Sequence, residues 1–523
     1  MPAPPLPLPP GDLLGMNLSL GHRLRDGHFP APSETRRVDV LIAGGGVAGL
    51  SAAWQLARLG IEDFVVVDLE AEVGGNSRAG RSPVTAYPWG AHYLPLPGRE
   101  AEHVRALLAE LGVLQGDPAA ERPVYDERYL CATPQERLYR HGLWEEGLLA
   151  QRGVSLAERD EQHRFQAHME ALKQARGRDG RRAFAIPMAL SSRDPAWRAL
   201  DRLSFRQWLL DHGYTAPTLH WLANYACRDD YGTEHGETSA WAGLHYFACR
   251  NGEAANAASD CVLTAPEGNA WLVRGLAARA SGRLVHEAMV WRIADEKHAV
   301  SVDVLQGERS IRYSTKYLIW AAPVFMLPRV WPTMPPSLRG AAQTGDYAPW
   351  LVANLHLDGL PAERHGAPPA WDNVLYQGPG LGYVTATHQT IRLHPGATVF
   401  TYYRALSDMR PADGRRLLLE TSRETWAEAI LGELSAVHPD IRERTRRLDV
   451  YRNGHAMRRP VPGSLFDGQR EILAKFENSR MTLAHGDLSG FSLFEEAQHR
   501  GVLAAERCRA ALRGGRRSAG EVM

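Results

Sequence analysis

The stretch AGGGVAGLSAA at 43–53 constrains the chain more than any other feature. Gly44, Gly46 and Gly49 fit GxGxxG, directly after the apolar run VDVLIA (38–43) and at the head of a helical pattern that continues to about Leu59. Each glycine has a mechanical task. The first permits a tight turn, the second lets backbone approach a pyrophosphate, and the third lets helix and strand pack closely. Val47 and Ala48 open the helix, whose free N–H groups and positive dipole end suit phosphate. A second buried run, IEDFVVVD (61–68), ends on Asp68, with Leu69 next to it. That carboxylate can accept hydrogen bonds from a ribose diol and would repel a 2′-phosphate. Strand, turn, helix and acid agree on a βαβ dinucleotide site, where an unliganded glycine turn would need no such acid.

Composition bounds the rest. At 523 residues and 44% hydrophobic, the chain predicts two to four structural units with sizeable cores. Lys+Arg and Asp+Glu stand at 60 each, so no net field draws the chain to nucleic acid or an anionic membrane. No apolar run reaches the roughly 18 to 20 residues of a membrane span. The opening MPAPPLPLPPGDLLG lacks the basic and apolar regions of a secretory signal. Five widely spaced cysteines contain no CxxC pair, which argues against zinc or a disulfide framework and for a reducing, cytoplasmic setting.

Along the chain, residues 1–35 read as an irregular proline-rich leader. A region of mostly helical pattern spans 101–254, with RGRDGRRA at 176–183 as an exposed loop. A helix at 268–280, alternation at 283–305 and a buried strand at 316–322 follow. Two strand-like stretches, APWLVANLHLDG and GATVFTYYRA, precede a helix at about 412–436. Strand 481–485 and helix 494–512 close the fold, and 513–523 reads as a disordered tail.

Further motifs carry a resemblance. Gly74-Gly75 with Asn76, Ser77 and Arg78, then Trp89-Gly90-Ala91-His92-Tyr93, resemble the second glycine motif and the following segment of the flavin amine oxidase superfamily. LAHGDLSGFSLFEEAQHRGVLAAE (483–506) resembles its closing motif, with Gly486, Asp487 and Gly501 in register. Gly268-Asn269 and Leu272 resemble its middle segment, and Ala321-Ala322-Pro323 its "AxP" strand end. The three blocks, near 38–95, 265–325 and 480–508, occur in the superfamily's order.

The resemblance implies an α/β fold: a Rossmann-like three-layer FAD-binding domain with a discontinuous α+β substrate domain. The FAD domain would comprise 36–100, 255–325 and 470–512, and the substrate domain 101–254 and 326–469. It implies noncovalent FAD, since no cysteine adjoins these motifs. The cofactor would meet Gly44, Gly46, Val47, Ala48, Gly49, Asp68, Leu69, Gly75, Asn76, Ser77, Arg78, Gly90, Ala91, His92 and Tyr93. Val290 would pair with adenine, and Ala322, Gly486, Asp487 and Phe494 would complete the site.

The implied activity is hydride transfer from an amine, polyamine or other activated C–H to flavin N5, with oxygen or another acceptor taking the electrons. A polyene substrate, as in the desaturases, a non-redox isomerase and a non-catalytic flavin protein stay open. Two departures bear on this choice. No lysine occurs from 317 to 474, where amine oxidases hold a water against the flavin, and WLVANLHL offers Asn354 and His356 instead. Leu493 stands where many amine oxidases place a cage tyrosine. Segments dense in aromatic and polar residues (225–237, 239–252, 451–464, 487–494) supply candidate walls. His455, before a Pro-x-Pro-Gly turn, is a candidate for the isoalloxazine edge or for a structural hydrogen bond. His245, among Trp241, Tyr246 and Phe247, is a second catalytic candidate, and Asn354 a third. The acids Asp229, Asp230, Glu234 and Glu237 beside His235 fit no metal motif, and read as a solvated loop or a cation-binding patch.

Overall fold

The computed structural model describes residues 7–394 and 396–520. Its principal elements begin with β1 Leu13–Gly15, α1 Leu18–Asp26, β2 Glu34–Ala43, α2 Val47–Arg58 and β3 Phe64–Val67. There follow α3 Glu102–Glu110, β4 Glu136–Arg140, β5 Leu143–Glu146, α4 Leu156–Gln174, α5 Phe205–Asp211, α6 Pro217–Tyr231, α7 Ala240–Ala248 and α8 Ala270–Ala278. Next are β6 Leu284–Val285, β7 Ala288–Asp295, β8 Val300–Gln306 and β9 Arg309–Trp320. The chain ends with β10 Tyr347–Leu357, β11 Asp372–Leu375, β12 Gly382–Thr385, β13 Thr398–Ala405, α9 Pro411–Glu420, α10 Arg423–Leu434, β14 Thr445–Arg458, β15 Met481–Leu483 and α11 Phe494–Gly520.

Two sheets organise these elements. A seven-stranded sheet runs β6-β3-β2-β9-β8-β7, with β15 also on β9. Its centre is parallel, β2 pairing with β3 and β9, and β9 with β15. Those central strands are apolar on both faces because both are covered. Val40, Ile42, Val66 and Ile319 pack under α2 and α11, while Leu41, Val67, Leu318 and Trp320 share a core with residues of β7, β8 and the 324–342 segment. This is the expected Rossmann-type layer.

An eight-stranded sheet, β1-β14-β10-β13-β12-β11-β4-β5, supports the second domain. The period of two along β10 divides its faces. Leu351, Ala353, Leu355 and Leu357 pack with α9 and α10, whereas Trp350 and Val352 face the opposite cluster.

Several expectations are corrected. The leader is not irregular throughout: within it Leu13–Gly15 is a strand and Leu18–Asp26 a helix, while 7–12 and 27–32 have no regular structure. Proline lacks an N–H but keeps its carbonyl, so the segment serves as an edge partner: Leu448 N–H donates to Pro10 O and Val450 N–H to Asp12 O, both at 2.9 Å. Residues 1–6 lie outside the described residues. The 101–254 region also supplies β4 and β5 to the large sheet. The predicted 412–436 helix is two, broken where Ser422 caps α10 by accepting from Thr425 N–H. In the 176–183 loop, Arg182 and Ala183 are buried, and the Arg182 guanidinium donates to Lys173 O and Ala248 O. The closing helix continues past 512 to Gly520; 521–523 lie outside the described residues. No helix among the described residues is long and apolar enough to cross a membrane.

Candidate active site

A cavity of about 1100 Å³ opens at the carboxyl ends of β2, β3 and β9, where ligands of open α/β sheets bind. Gly44 turns the chain at φ +113°, and its N–H donates to Val67 O at 2.8 Å. A Cβ on Gly49 would stand 1.8 Å from Gly44 O, so only glycine permits this helix–turn contact. Gly46 faces open space, leaving room for a phosphate above the uncapped start of α2. Val47, Ala48, Asp68, Leu69, Gly75, Asn76, Ser77, Val290 and Ala322 also line the cavity. Asp68 is fixed by N–H groups of Gly45 (2.5 Å) and Glu70 (2.8 Å). Burial raises its pKa, and those two donors oppose the shift.

The closing segment supplies Gly486 and Asp487. Tyr347 Oη donates to Asp487 Oδ2 at 2.7 Å and Val324 N–H at 3.1 Å. Oδ1 of this buried carboxylate has no partner among the described residues, and a buried carboxylate oxygen calls for a donor such as a ligand hydroxyl. Burial alone would raise the Asp487 pKa, but His485, Arg458 and the Tyr347 hydroxyl hold it well below the carboxylate range.

A second cavity, about 150 Å³, abuts the first. Asn76, Ala91, Asn453, Ala456, Leu493 and Phe494 belong to both walls. Its sides are aromatic: Trp89, Trp350 of β10, Tyr403 of β13 and Tyr451 of β14. Asp229 and Asp230, at the end of α6, and Arg250, just after α7, bring charge to it. Tyr93 Oη donates to Asp229 Oδ2 at 3.0 Å, and Arg250 Nη2 reaches Asp230 Oδ1 at 3.1 Å and Tyr93 Oη at 3.0 Å. Burial raises both aspartates, Asp230 to about 6, against the opposing pull of Arg250. Burial also raises Glu495, in the same wall, to about 7. His92 stacks on Tyr403 at 4.5 Å, and burial lowers it to about 4, so its imidazole is neutral at pH 7.

The remaining expected site residues divide. Gly90, His92 and Tyr93 line the small pocket, not the large cavity. Arg78 lines neither. It is buried against Glu70 (2.9 Å) and Tyr451 Oη (2.6 Å), because a guanidinium taken from water needs its own partners. His455 lines the large cavity, stacked on Phe325 at 4.8 Å, and is absent from the small pocket's wall. His245 is a core residue: its Nε2 lies 2.9 Å from Ala185 O, and its ring stacks on Trp241 and Phe491. Asn354 is also structural. It donates to Pro88 O at 3.1 Å and accepts from Thr401 Oγ1 at 2.7 Å, one step beyond the residues of β10 that reach the pocket. The acidic cluster splits, with Glu237 pairing with Arg459 and His235 bonding Asn224 and His220. Among the described residues no group of side chains is arranged to hold a metal.

Trp350, Tyr403, Tyr451, Arg250 and Glu495 escaped the sequence argument. Arg250 and Tyr451 sat within segments already marked as dense in aromatic and polar residues. Trp350 and Tyr403 had only strand alternation as a signal, which does not say which face meets a site.

The description "NAD(P)-binding Rossmann-like domain" matches residues 42–111. Among curated proteins nothing matches. Among solved structures, a wild-type putrescine oxidase bound to putrescine aligns at TM-score 0.64 and 17% identity, covering 91% of this chain and 100% of its own. The fold is that of the flavin amine oxidases. Cyclohexylamine oxidase from Brevibacterium oxydans IH-35A aligns at TM-score 0.64 and 15% identity, covering 91% and 99%. A fatty acid isomerase from P. acnes aligns at 0.61 and 14%, covering 90% and 98%. The amine oxidase fold thus extends over most of the chain, with an α/β core and a second domain above the nucleotide cavity.

Proposed function

We propose that the protein is an FAD-dependent oxidoreductase that takes hydride from an amine. The observation that carries this reading is the aromatic pocket, charged by Asp229 and Asp230, opening directly onto the dinucleotide cavity. Noncovalent FAD fits that cavity: Asp68 for the ribose, Gly46, Val47 and Ala48 for pyrophosphate, Val290 beside adenine, and Asp487 Oδ1 for a ribityl hydroxyl. Bound FAD supplies the hydride acceptor.

The chain's own residues do the rest. Trp89, Trp350, Tyr403, Tyr451 and Phe494 exclude water and fix the substrate's approach. When both are ionised, Asp229 and Asp230 outnumber Arg250 and attract an ammonium group, against the burial that raises both carboxyls. A carboxylate with its pKa raised to about 6 can also accept the ammonium proton at Oδ, leaving the neutral amine from which hydride departs. Asn76 and Asn453 orient polar groups where the two cavities meet. The five free cysteines fit a cytoplasmic protein, with oxygen or another acceptor downstream.

Arg250 favours a second reading. A cation in the pocket suits a carboxylate substrate, and the P. acnes neighbour, a fatty acid isomerase, couples this fold to a reaction of another class. An anaerobic absorbance titration with amines, polyamines, polyenes and unsaturated fatty acids separates the two. A yellow protein bleached by an amine and recoloured by air supports the oxidase. Product from a fatty acid without net bleaching would replace it with the isomerase. Protein that takes up no FAD overturns both.

A further inference from the structure

The cofactor cavity has a wall that neither the βαβ unit nor the main body of the antiparallel sheet provides. Residues 13–26 form a strap across it. At one end β1 pairs in parallel with β14, Leu13 opposite Val450, Leu14 opposite Tyr451 and Gly15 opposite Arg452. The chain then crosses to the other domain. Asn17 N–H donates to Glu70 Oε1 at 2.8 Å, two residues after Asp68, and Asn17 caps α1 by accepting from Leu20 N–H at 3.1 Å. Gly21 sits against Leu69, where an added Cβ would stand 3.6 Å from Leu69 Cδ2. Leu24 packs on the core of the nucleotide-binding sheet. Glu70 in turn accepts from Arg78, which donates to Tyr451 Oη. The strap is therefore fastened to both domains, and Met16, His22 and Arg25 line the cavity.

What the strap carries is basic. Arg25 is in the last turn of α1, where a cation also complements the helix dipole. His455 of β14 and Arg415 of α9 belong to the same cavity wall. Arg415, Asp346, Arg25 and His22 all lie within electrostatic reach of the His455 ring. Arg415 Nη1 donates to Tyr347 O at 3.1 Å and stands 3.8 Å from Asp346. Arg452, next in the wall, keeps a buried Nε without a partner among the described residues. Basic side chains thus converge from three elements on a cavity that also holds the glycine turn and the uncapped start of α2.

Resting on the flavin reading above, we propose that the 13–26 strap closes the cofactor site and that Arg25, together with Arg415, binds the FAD pyrophosphate. A guanidinium–phosphate pair makes charge-assisted hydrogen bonds, and two arginines on separate elements would hold a dianion together. The assignment gives the N-terminal segment a role in holding cofactor.

The test uses full-length protein stripped of flavin, titrated with FAD, ADP and riboflavin by fluorescence and calorimetry. Arg25→Gln and Arg415→Gln should each weaken FAD and ADP by about tenfold, as loss of one charge-assisted bond implies, and leave riboflavin within about twofold. Arg25→Lys should recover part of the loss. Asn17→Ala, which loosens the strap but keeps both arginines, should speed FAD release by about fivefold, the effect of a lost helix cap. Near-UV circular dichroism establishes that each variant is folded. FAD and ADP affinities unchanged in both arginine variants overturn the proposal, as does equal weakening of riboflavin. An unchanged release rate in Asn17→Ala overturns closure by the strap. Wild-type protein that binds none of the three ligands fails the flavin reading itself, a result distinct from wild type that binds FAD no better than the variants do.

Discussion

Asp230 is one of three acids, with its neighbour Asp229 and with Glu495, through which the pocket responds to pH. Its carboxyl, raised to about 6 by burial against the pull of Arg250, is neutral below that value and charged above it. A protonated amine is attracted only by the charged form, so kcat/KM should fall as pH drops through about 6. Asp230→Asn should abolish that limb and lower kcat/KM at pH 8 by about ten- to a hundredfold, the range for a lost charge-assisted contact. Steady-state kinetics from pH 5 to 9 checks both; a limb that survives in the variant would assign it to another group. Asn354 makes the opposite prediction. Fully buried and bonded to Pro88 O and Thr401 Oγ1, it supports the sheet and does not face the pocket. Asn354→Ala should cost about 1–3 kcal/mol of stability through the partners left unpaired, seen as a lower Tm, while kcat stays within about twofold of wild type. A large fall in kcat at unchanged Tm would return Asn354 to the site.

Between elements, two glycines hold the nucleotide layer together. Gly49 on α2 lets the helix reach the Gly44 turn, and Gly501 on α11 lets that helix reach α2: a Cβ at 501 would stand 2.1 Å from Ala48 O. Gly501→Val should push α11 away, costing about 1–3 kcal/mol, and weaken FAD retention because Gly486 and Asp487 lie just before α11. Differential scanning fluorimetry with and without added FAD reads both effects, and an unchanged melt would show that the helices yield without loss. These elements were legible because their signals are local. The glycine spacing, the 3.6-residue period and the Gly-Asp turn each lie within about twenty residues. β1 was not legible, because its partner lies hundreds of residues away: Asp12 N–H bonds Asp449 Oδ1, and proline content masked a pairing that uses carbonyls. His245 misled for a related reason. An aromatic, polar segment is equally what a packed helical core requires, and α7 buries His245 while leaving Arg250, five residues on, at the pocket. Asp229 and Asp230 were visible as acids, but only the end of α6 shows which two of the four face inward.

Across the molecule, the dinucleotide cavity draws its walls from distant parts of the chain: the strap, Gly44–Ala48, Val290, the Ala322 turn, β14 and Gly486–Asp487. A ligand that touches all of them is a tether between the two domains. Binding to the native state alone stabilises it by about 2.7 kcal/mol at a hundredfold excess over Kd, but that sum is silent about where the stability goes. The topology says where. β14 belongs to the eight-stranded sheet and β2 to the seven-stranded one, and the bonded links that join them near the cavity include Asn17–Glu70, Arg78–Tyr451 and Asn76–Ala456, where Asn76 Nδ2 donates at 2.6 Å. With the cavity filled, opening either domain exposes the ligand, so their local unfolding becomes coupled. Hydrogen exchange should therefore show FAD slowing amides in the β1–β14 ladder and in the 44–49 turn together, by similar factors, although these belong to different sheets. ADP, which spans only the nucleotide half, should protect the 44–49 turn and β3 with a smaller effect around Asn453. Protection confined to 36–95 would mean that the cofactor rests on the Rossmann layer alone, and that the second domain closes over it without sharing the load.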